Sequence, residues 1–358
     1  MGAFNFHHLQ PVLSHLPNVR KLELEYSNCD DSTIKVIANN CPLLKELNVY
    51  ASLVSDEGMR HLCFPKNHKL QLESLTVSRT CVKKDGVLMI LKHMPSMRVL
   101  SHENLSYIIS HGVANNVLHD LLSLTYIEIH HARTELQSVA ELCPNIKHLF
   151  VKYIESPEQL LSCCAFKNLE EVCLSYVAHN RSTLCIDHFL QTCGYFISNL
   201  SLENFVLSVD ILVNSCPNLQ LLELCDPIFE EPPNKKASSL KFEKLTHFKI
   251  YGSSLLSKED VMSPAFIIKS SPKLESMSLQ YCFIGAHMED VILNCPATLL
   301  QLDFTESLVS VNFLQEVLLK HKRLQCLIIE NSGLNSDDFD NLFQLIEELN
   351  HPVNLLWC

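Results

Sequence analysis

The sequence predicts an α/β solenoid of about 13–14 strand–helix repeats, with a parallel sheet along the inner face and helices along the outer one. Three observations carry this. An apolar-x-x-apolar-x-apolar pattern recurs along the 358 residues. Its period of 22 to 29 residues suits one strand plus one return helix. Prolines stand at one fixed distance before many of the strands.

The middle apolar residue of each pattern serves as a mark. The marks are Leu22, Leu47, Leu75, Leu100, Ile127, Leu149, Val172, Leu200, Leu222, Phe248, Met277, Leu302, Leu327 and Leu355. Three columns should be buried: three before the mark, the mark itself and two after it. Of those 42 positions 40 are apolar, with His102 and Pro352 as the exceptions. The positions one before and one after the mark should face outward, and only 8 of those 28 are apolar. Side chains that change face at every residue make a strand. The spacing averages about 26 residues, which is the leucine-rich-repeat range. One such unit cannot bury its own apolar face, so neighbours stack over a continuous core. The expected architecture is therefore a leucine-rich-repeat horseshoe.

Each strand leads into a helix. Ser156-Pro157-Glu158 reads as an N-cap, a first-turn proline and an acid before Leu160-Leu161. Ser55-Asp56-Glu57-Gly58-Met59 and Ser257-Lys258-Glu259-Asp260 are similar starts. Helices should stop at Cys41-Pro42, Met94-Pro95, Cys143-Pro144, Cys216-Pro217 and Ser271-Pro272. Each of these prolines, like Pro17, lies five residues before its mark and resets the chain to extended structure. Asp226 to Ser239, with Pro227, Pro232 and Pro233, cannot be helical throughout and should replace one outer helix with a loop. Residues 1–16 read as an N-terminal helical cap and 17–358 as a single solenoid.

Composition excludes several function classes. The formal net charge of −12 disfavours nucleic acid as a partner. The first residues lack the charge and apolar run of a signal peptide, and no apolar stretch would span a membrane. Phe6 breaks the myristoylation pattern begun by Gly2. With no secretion signal, the sixteen cysteines read as reduced, buried thiols of a cytoplasmic or nuclear protein, and the sequons at Asn104, Asn180 and Asn199 as chance matches. Cys41, Cys143, Cys216 and Cys295 should point inward at helix ends. No Cys-x-x-Cys occurs, and Cys163-Cys164 are neighbours within a helix, so no zinc site is expected. His7-His8 and His130-His131 fit no ligand pattern. Motifs for a catalytic serine, a dinucleotide or a P-loop are missing. No cofactor and no catalytic residue are expected.

Cys41-Pro42-Leu43-Leu44-Lys45-Glu46-Leu47-Asn48-Val49, followed by Ser55-Asp56-Glu57-Gly58-Met59, resembles the cysteine-containing leucine-rich repeat of F-box/LRR proteins, the substrate receptors of cullin-RING ubiquitin ligases. Cys143-Pro144-Asn145-Ile146 and Cys216-Pro217-Asn218-Leu219 repeat its first half. The resemblance covers nearly the whole chain as a fold. It implies substrate recognition for a ligase, and possible ligase components as partners if a longer form carries an F-box.

Two departures stand out. The family usually places Cys or Asn five residues after the mark. Here that column reads Ser27, Ser52, Thr80, Ser253, Cys282, Ser307 and Ser332, with apolar Leu105, Ile154, Val177 and Phe205 in the middle. Hydroxyls can serve the same backbone groups, whereas the apolar residues should give irregular turns. Some sixteen residues precede the first repeat, too few for an F-box of about forty, so this chain alone is not expected to join a cullin ligase through that module.

Solenoids present the inner sheet face to partners. Around the fifth and sixth marks that face carries Tyr126, Glu128, His130, His148, Phe150 and Lys152, a mixture of aromatic anchors and charge suited to an interface centre. A second patch carries His247, Lys249 and Tyr251, and the first repeats offer a mainly acidic end at Lys21, Glu23, Glu25, Glu46 and Tyr50. The leading expectation is a non-enzymatic protein-recognition scaffold. The alternative is an F-box-free binding, inhibitor or assembly protein. A hydrolase on a repeat fold and an extracellular receptor stand behind both.

Overall fold

A computed structural model of the chain describes residues 12, 17–66, 68–130, 136–177, 184–230, 241–255 and 258–357. The expected cap at 1–16, His7-His8, His131, Ser257 and residues 231–239 of the proline-rich stretch lie outside these, Val12 apart. The chain forms two compact units. One comprises Met1–Ile154 with Glu158–Leu169, the other Glu155–Pro157 with Glu170–Cys358.

The first unit contains strands β1 (Lys21–Glu23), β2 (Glu46–Asn48), β3 (Ser74–Thr76), β4 (Val99–Ser101), β5 (Tyr126–Ile129) and β6 (His148–Ile154). Its helices are α1 (Asp31–Asn40), α2 (Asp56–Cys63), α3 (Lys84–His93), α4 (Leu105–Ala114), α5 (Leu136–Leu142) and most of α6 (Pro157–Cys163). All strand pairs are parallel. Leu22, Leu47, Leu75 and Leu100 stand in one register across β1–β4, and Ile127 faces Leu149 across β5 and β6. Between β4 and β5 a bond from Thr125 N–H to the Arg98 carbonyl, at 2.8 Å, carries the repeat forward.

The second unit contains β7 (Glu171–Tyr176), β8 (Leu184–Cys185), β9 (Asn199–Glu203), β10 (Phe205–Leu207), β11 (Leu221–Cys225), β12 (Ile228–Phe229), β13 (His247–Tyr251), β14 (Ser254–Leu255), β15 (Ser276–Gln280), β16 (Phe283–Ile284), β17 (Gln301–Asp303), β18 (Cys326–Ile328) and β19 (Asn354–Leu356). Its helices are α7 (Asp187–Cys193), α8 (Val209–Ser215), α9 (Lys258–Lys269), α10 (Ala286–Leu293), α11 (Val311–Lys320) and α12 (Ser336–Leu349). Val172, Leu200, Leu222, Phe248, Met277, Leu302, Leu327 and Leu355 share one parallel register. Every mark therefore lies in a strand, and each unit is a leucine-rich-repeat array of parallel strands with flanking helices.

Burial follows the expected columns. From the second repeat to the thirteenth, all three inward positions are buried, His102 among them. His102 is tolerated there because both ring nitrogens are satisfied. Nε2 reaches the Val82 carbonyl at 3.2 Å and Nδ1 accepts the Asn104 N–H at 3.1 Å. The last repeat departs from the pattern. Pro352 is exposed while His351 and Val353 are buried, and Trp357, 47% exposed, stacks on Phe339 of α12 with ring centroids 4.5 Å apart. Trp357 still points at the helix layer, but no further described repeat covers it.

Helix boundaries follow local chemistry. Ser55 caps α2, Asp30 caps α1 by accepting the Thr33 N–H at 2.9 Å, and Asn335 with Asp338 forms a capping box on α12. The proline-marked stops at Cys41, Met94, Cys143, Cys216 and Ser271 are all observed. The hydroxyl column bonds to loop backbone at several repeats, although the buried Ser52 hydroxyl has no hydrogen-bond partner among the described residues. Ser27, Thr80 and Ser332 donate back to the carbonyls of Leu24, Val77 and Ile329.

The residue just before that column holds a feature the sequence hides. Tyr26, Ala51, Arg79, Tyr153, Asn204, Asp226, Gly252, Tyr281, Glu306 and Asn331 all have positive φ, between 46 and 71°. A left-handed residue at this point bends the chain off the sheet. Of the central turns expected to be irregular, the one at Phe205 opens a short strand, whereas Leu105 opens α4 and Ile154 closes β6. After Asn204 the chain enters β10, which pairs in parallel with β8 and β12, and β14 pairs with β16. The expected loop at Asp226 thus begins with β12, and no described helix lies between β11 and β13.

Candidate functional site: the open sheet face

Strand alternation leaves the residues flanking each mark on the face away from the helices. In the first unit, register sets Tyr126 opposite His148 and Glu128 opposite Phe150. The closest aromatic approach is diagonal. The Tyr126 and Phe150 rings lie 5.2 Å apart at 36° to each other. Diagonal neighbours on a twisted parallel pair come within reach when side chains are long. Both rings are half-buried on a face where a lone aromatic would be more exposed.

Glu128 is the hub of this cluster. Its carboxylate accepts Lys152 Nζ at 2.6 Å, lies 3.6 Å from His130 Nε2, and receives the Tyr126 hydroxyl at 3.5 Å. Lys152 is exposed, and Glu128, His130 and His148 are half-buried. The sequence placed these six residues together but showed no hub. The available signal was the two-residue offset between Glu128 and Lys152 on paired strands. The same carboxylate thus ties the Tyr126 hydroxyl, His130 and Lys152 together beside the aromatic pair.

His247, Lys249 and Tyr251 fall on β13 of the second unit, so they form a separate patch. Lys249 stands opposite Glu223 on one side and Ser278 on the other. His247 Nδ1 is 2.8 Å from Thr246 Oγ1. Burial pushes the Tyr251 hydroxyl up to about 12, reinforced by Glu223, Cys225 and Asp303. Asp303 was missed in the sequence. It is only 8% exposed, and its carboxylate accepts Ser278 Oγ at 3.1 Å, Gln280 Nε2 at 2.5 Å and the Thr305 backbone at 3.0 Å. An Asp just after a mark, with Thr two residues further on, was its only trace. At the acidic end the strands bring opposite charges together. Lys21 pairs with Glu23 at 2.9 Å and Glu46 at 3.5 Å, while Tyr26 and Tyr50 meet edge to face.

Many of the cysteines are core thiols, but Cys81 and Cys185 are exposed, against the expectation that all are buried. Cys41, Cys143 and Cys216 are buried, while Cys295 is half-buried. Burial pushes Cys143, Cys163, Cys216 and Cys295 up to about 12. Among the described residues no group of three or more His, Cys, Asp or Glu could hold a metal ion, and no helix is long and apolar enough to cross a membrane.

No protein-family model matches the sequence, and no curated protein matches it. Among solved structures, an internalin (inlF) from Listeria monocytogenes str. 4b F2365 superposes with a TM-score of 0.50 at 11% identity, covering 97% of this chain and 88% of that one. Yeast Rad7 and Elc1 in complex give 0.49 at 12% identity, with 92% and 85% covered. The internalin likeness is one of fold, and it agrees with the leucine-rich-repeat architecture read from the strand register.

Proposed function

We propose that this chain is a non-enzymatic recognition scaffold that binds another protein on the open sheet face of its fifth and sixth repeats. The observation that carries the reading is the Tyr126–Phe150 pair, fixed beside the Glu128–Lys152 ion pair. Aromatic anchors ringed by oriented charge supply most of the binding energy in protein interfaces. His247, Lys249 and Tyr251 offer a second contact region on the other unit. The resemblance of Cys41 to Met59 to the F-box/LRR repeat supports a finer reading, substrate recognition for a ubiquitin ligase. Protonated, buried thiols suit a cytoplasmic or nuclear setting.

Affinity purification with quantitative mass spectrometry tests both levels, comparing the native chain with a Tyr126→Ala/Phe150→Ala variant. A partner depleted in the variant supports the site, and co-recovery of cullin and adaptor subunits supports the ligase role. Recovery of a partner without those subunits favours the alternative, an F-box-free inhibitor or assembly protein. Identical partner sets for both chains would remove the site.

A further inference from the structure

The helix layer of the first unit carries a surface with an excess of lysine over carboxylate, unlike the acidic chain as a whole. A groove of about 470 Å³ runs between α3 and α4. Leu88, Met89 and Val117 line it, and Lys84, Lys92, His93 and His111 surround them against a single carboxylate, Asp85. The chain as a whole has a net charge of −12, so two lysines beside a single carboxylate run against the composition. Val117 is 39% exposed and Met89 half-buried, which leaves apolar surface open to solvent.

Lys84 is held in place by a neighbouring imidazole. Lys84 Nζ lies 3.4 Å from His111 Nε2, and Asn115 Nδ2 is 2.8 Å from His111 Nδ1. Two exposed aromatic side chains frame the groove. Phe64 packs edge-on against His93 at 4.8 Å, and Tyr107 packs against His111 at 5.9 Å. Lys84 and Lys92 sit at the two ends of α3, eight residues apart, so they are about 12 Å apart along the axis and about 80° apart around it, and both border the groove.

We propose that this groove docks a helical segment of a partner protein, one carrying two carboxylates about two turns apart and an apolar side chain between them. Charge complementarity identifies the occupant. The lysines match the carboxylates in spacing, and the Leu88, Met89 and Val117 floor takes the apolar side chain. A furrow between two packed helices is the shape that accepts a third helix. A nucleic acid fits less well, because two lysines on an apolar floor provide no continuous basic track. The surface lies on the helix layer and is independent of the sheet-face reading, so either can fail alone.

The test uses the full chain with labelled methionine, leucine and valine methyl groups. The probe is a fluorescent helical peptide of about 16 residues, with two Glu seven apart around a central Leu. Controls are its Glu→Lys version and a single-stranded thymidine oligonucleotide. The expected result is saturable binding of the acidic peptide, with shifts at the Met89 and Val117 methyls. The K84E/K92E variant, its melting temperature unchanged, should weaken binding roughly tenfold or more. No Met89 shift at about 1 mM peptide would overturn the proposal. So would equal affinity of the variant, or a preference for the lysine peptide or the oligonucleotide.

Discussion

The carboxylate of Asp31 accepts the backbone N–H of Gly58, 2.9 Å away and one repeat further along the chain. The same carboxylate takes the Ser55 N–H at 2.8 Å and the Ser55 hydroxyl at 2.6 Å. An acid in the first turn of α1 thus satisfies the orphan donors at the start of α2. The contact recurs one repeat on, where Asp56 accepts the Lys83 N–H at 2.7 Å. This explains the Asp-x-Gly helix start. A side chain at Gly58 would place its Cβ 2.6 Å from Asp31 Oδ1 and 2.7 Å from Val54 Cγ1.

Gly58→Ala is therefore expected to destabilise the protein, although the same change in an exposed helix stabilises by up to about 1 kcal/mol. Loss of the Asp31 contacts should cost about 1–3 kcal/mol. Asp31→Ala should cost a similar amount, and the double variant less than the sum, since both remove one interaction. Urea denaturation of the four chains measures this. A stabilised Gly58→Ala would show that the carboxylate does not hold the repeats together.

Stability should also fall in mild acid through the last repeats. Burial holds the pKa values of His321 and His351 below the ordinary histidine value. His321 Nε2 reaches the Ile292 carbonyl at 3.0 Å, and His351 Nε2 reaches the His321 carbonyl at 3.1 Å. Val353 N–H donates to His351 Nδ1 at 3.2 Å, so protonation there must break that bond. Below about pH 6.5 the unfolded chain takes up protons that the folded chain resists. This contribution is fully present above the unfolded value and is lost as pH falls through the depressed folded value. Urea midpoints across that range should decline less steeply in His321→Gln and His351→Gln variants than in the native chain.

The repeat was legible because a shared core imposes it. Leu47, Leu149 and Leu222 each sit between neighbours that must also be apolar, so burial writes a column into the sequence. The left-handed position wrote none. Tyr26, Ala51, Arg79 and Glu306 share a backbone conformation but no side-chain chemistry, and glycine occupies that column only at Gly252. The short strands β8, β10 and β12 left no alternation long enough to read. At the sheet face the six residues could be placed together because strand period fixes facing. Their contacts could not, since the Tyr126–Phe150 diagonal depends on how the side chains lean across the pair.

Thiol chemistry should separate surface from core. Cys81 and Cys185 are exposed, whereas Cys41, Cys143, Cys163 and Cys216 are buried. Alkylation of the native chain followed by peptide mapping should label Cys81 and Cys185 first and the buried four only after denaturant. The thiols pushed up to about 12 stay protonated where an unfolded cysteine ionises, so their contribution to stability is present below about pH 8.5 and lost as pH rises toward the folded values. Intact-mass measurement after non-reducing denaturing alkylation should count free thiols, and several disulfides per chain would refute the reducing setting.

The sheet-face site makes the sharpest division between binding and folding. Leu149 is fully buried beneath the sheet, while its neighbour Phe150 lies on the open face against Tyr126. Leu149→Ala leaves a cavity and should destabilise the chain by about 2–5 kcal/mol. Phe150→Ala with Tyr126→Ala removes surface from the open face and should barely move the melting temperature. Truncating an anchor of this kind commonly costs about 2 kcal/mol of binding, roughly thirtyfold in affinity. Lys152→Ala should act differently. It frees the Glu128 carboxylate from its closest cation, so it should alter association rate and salt dependence more than dissociation. Binding kinetics for a purified partner, measured at two salt concentrations beside thermal melts, tell these effects apart. Native affinity in the Tyr126→Ala/Phe150→Ala chain would move the search to His247, Lys249 and Tyr251.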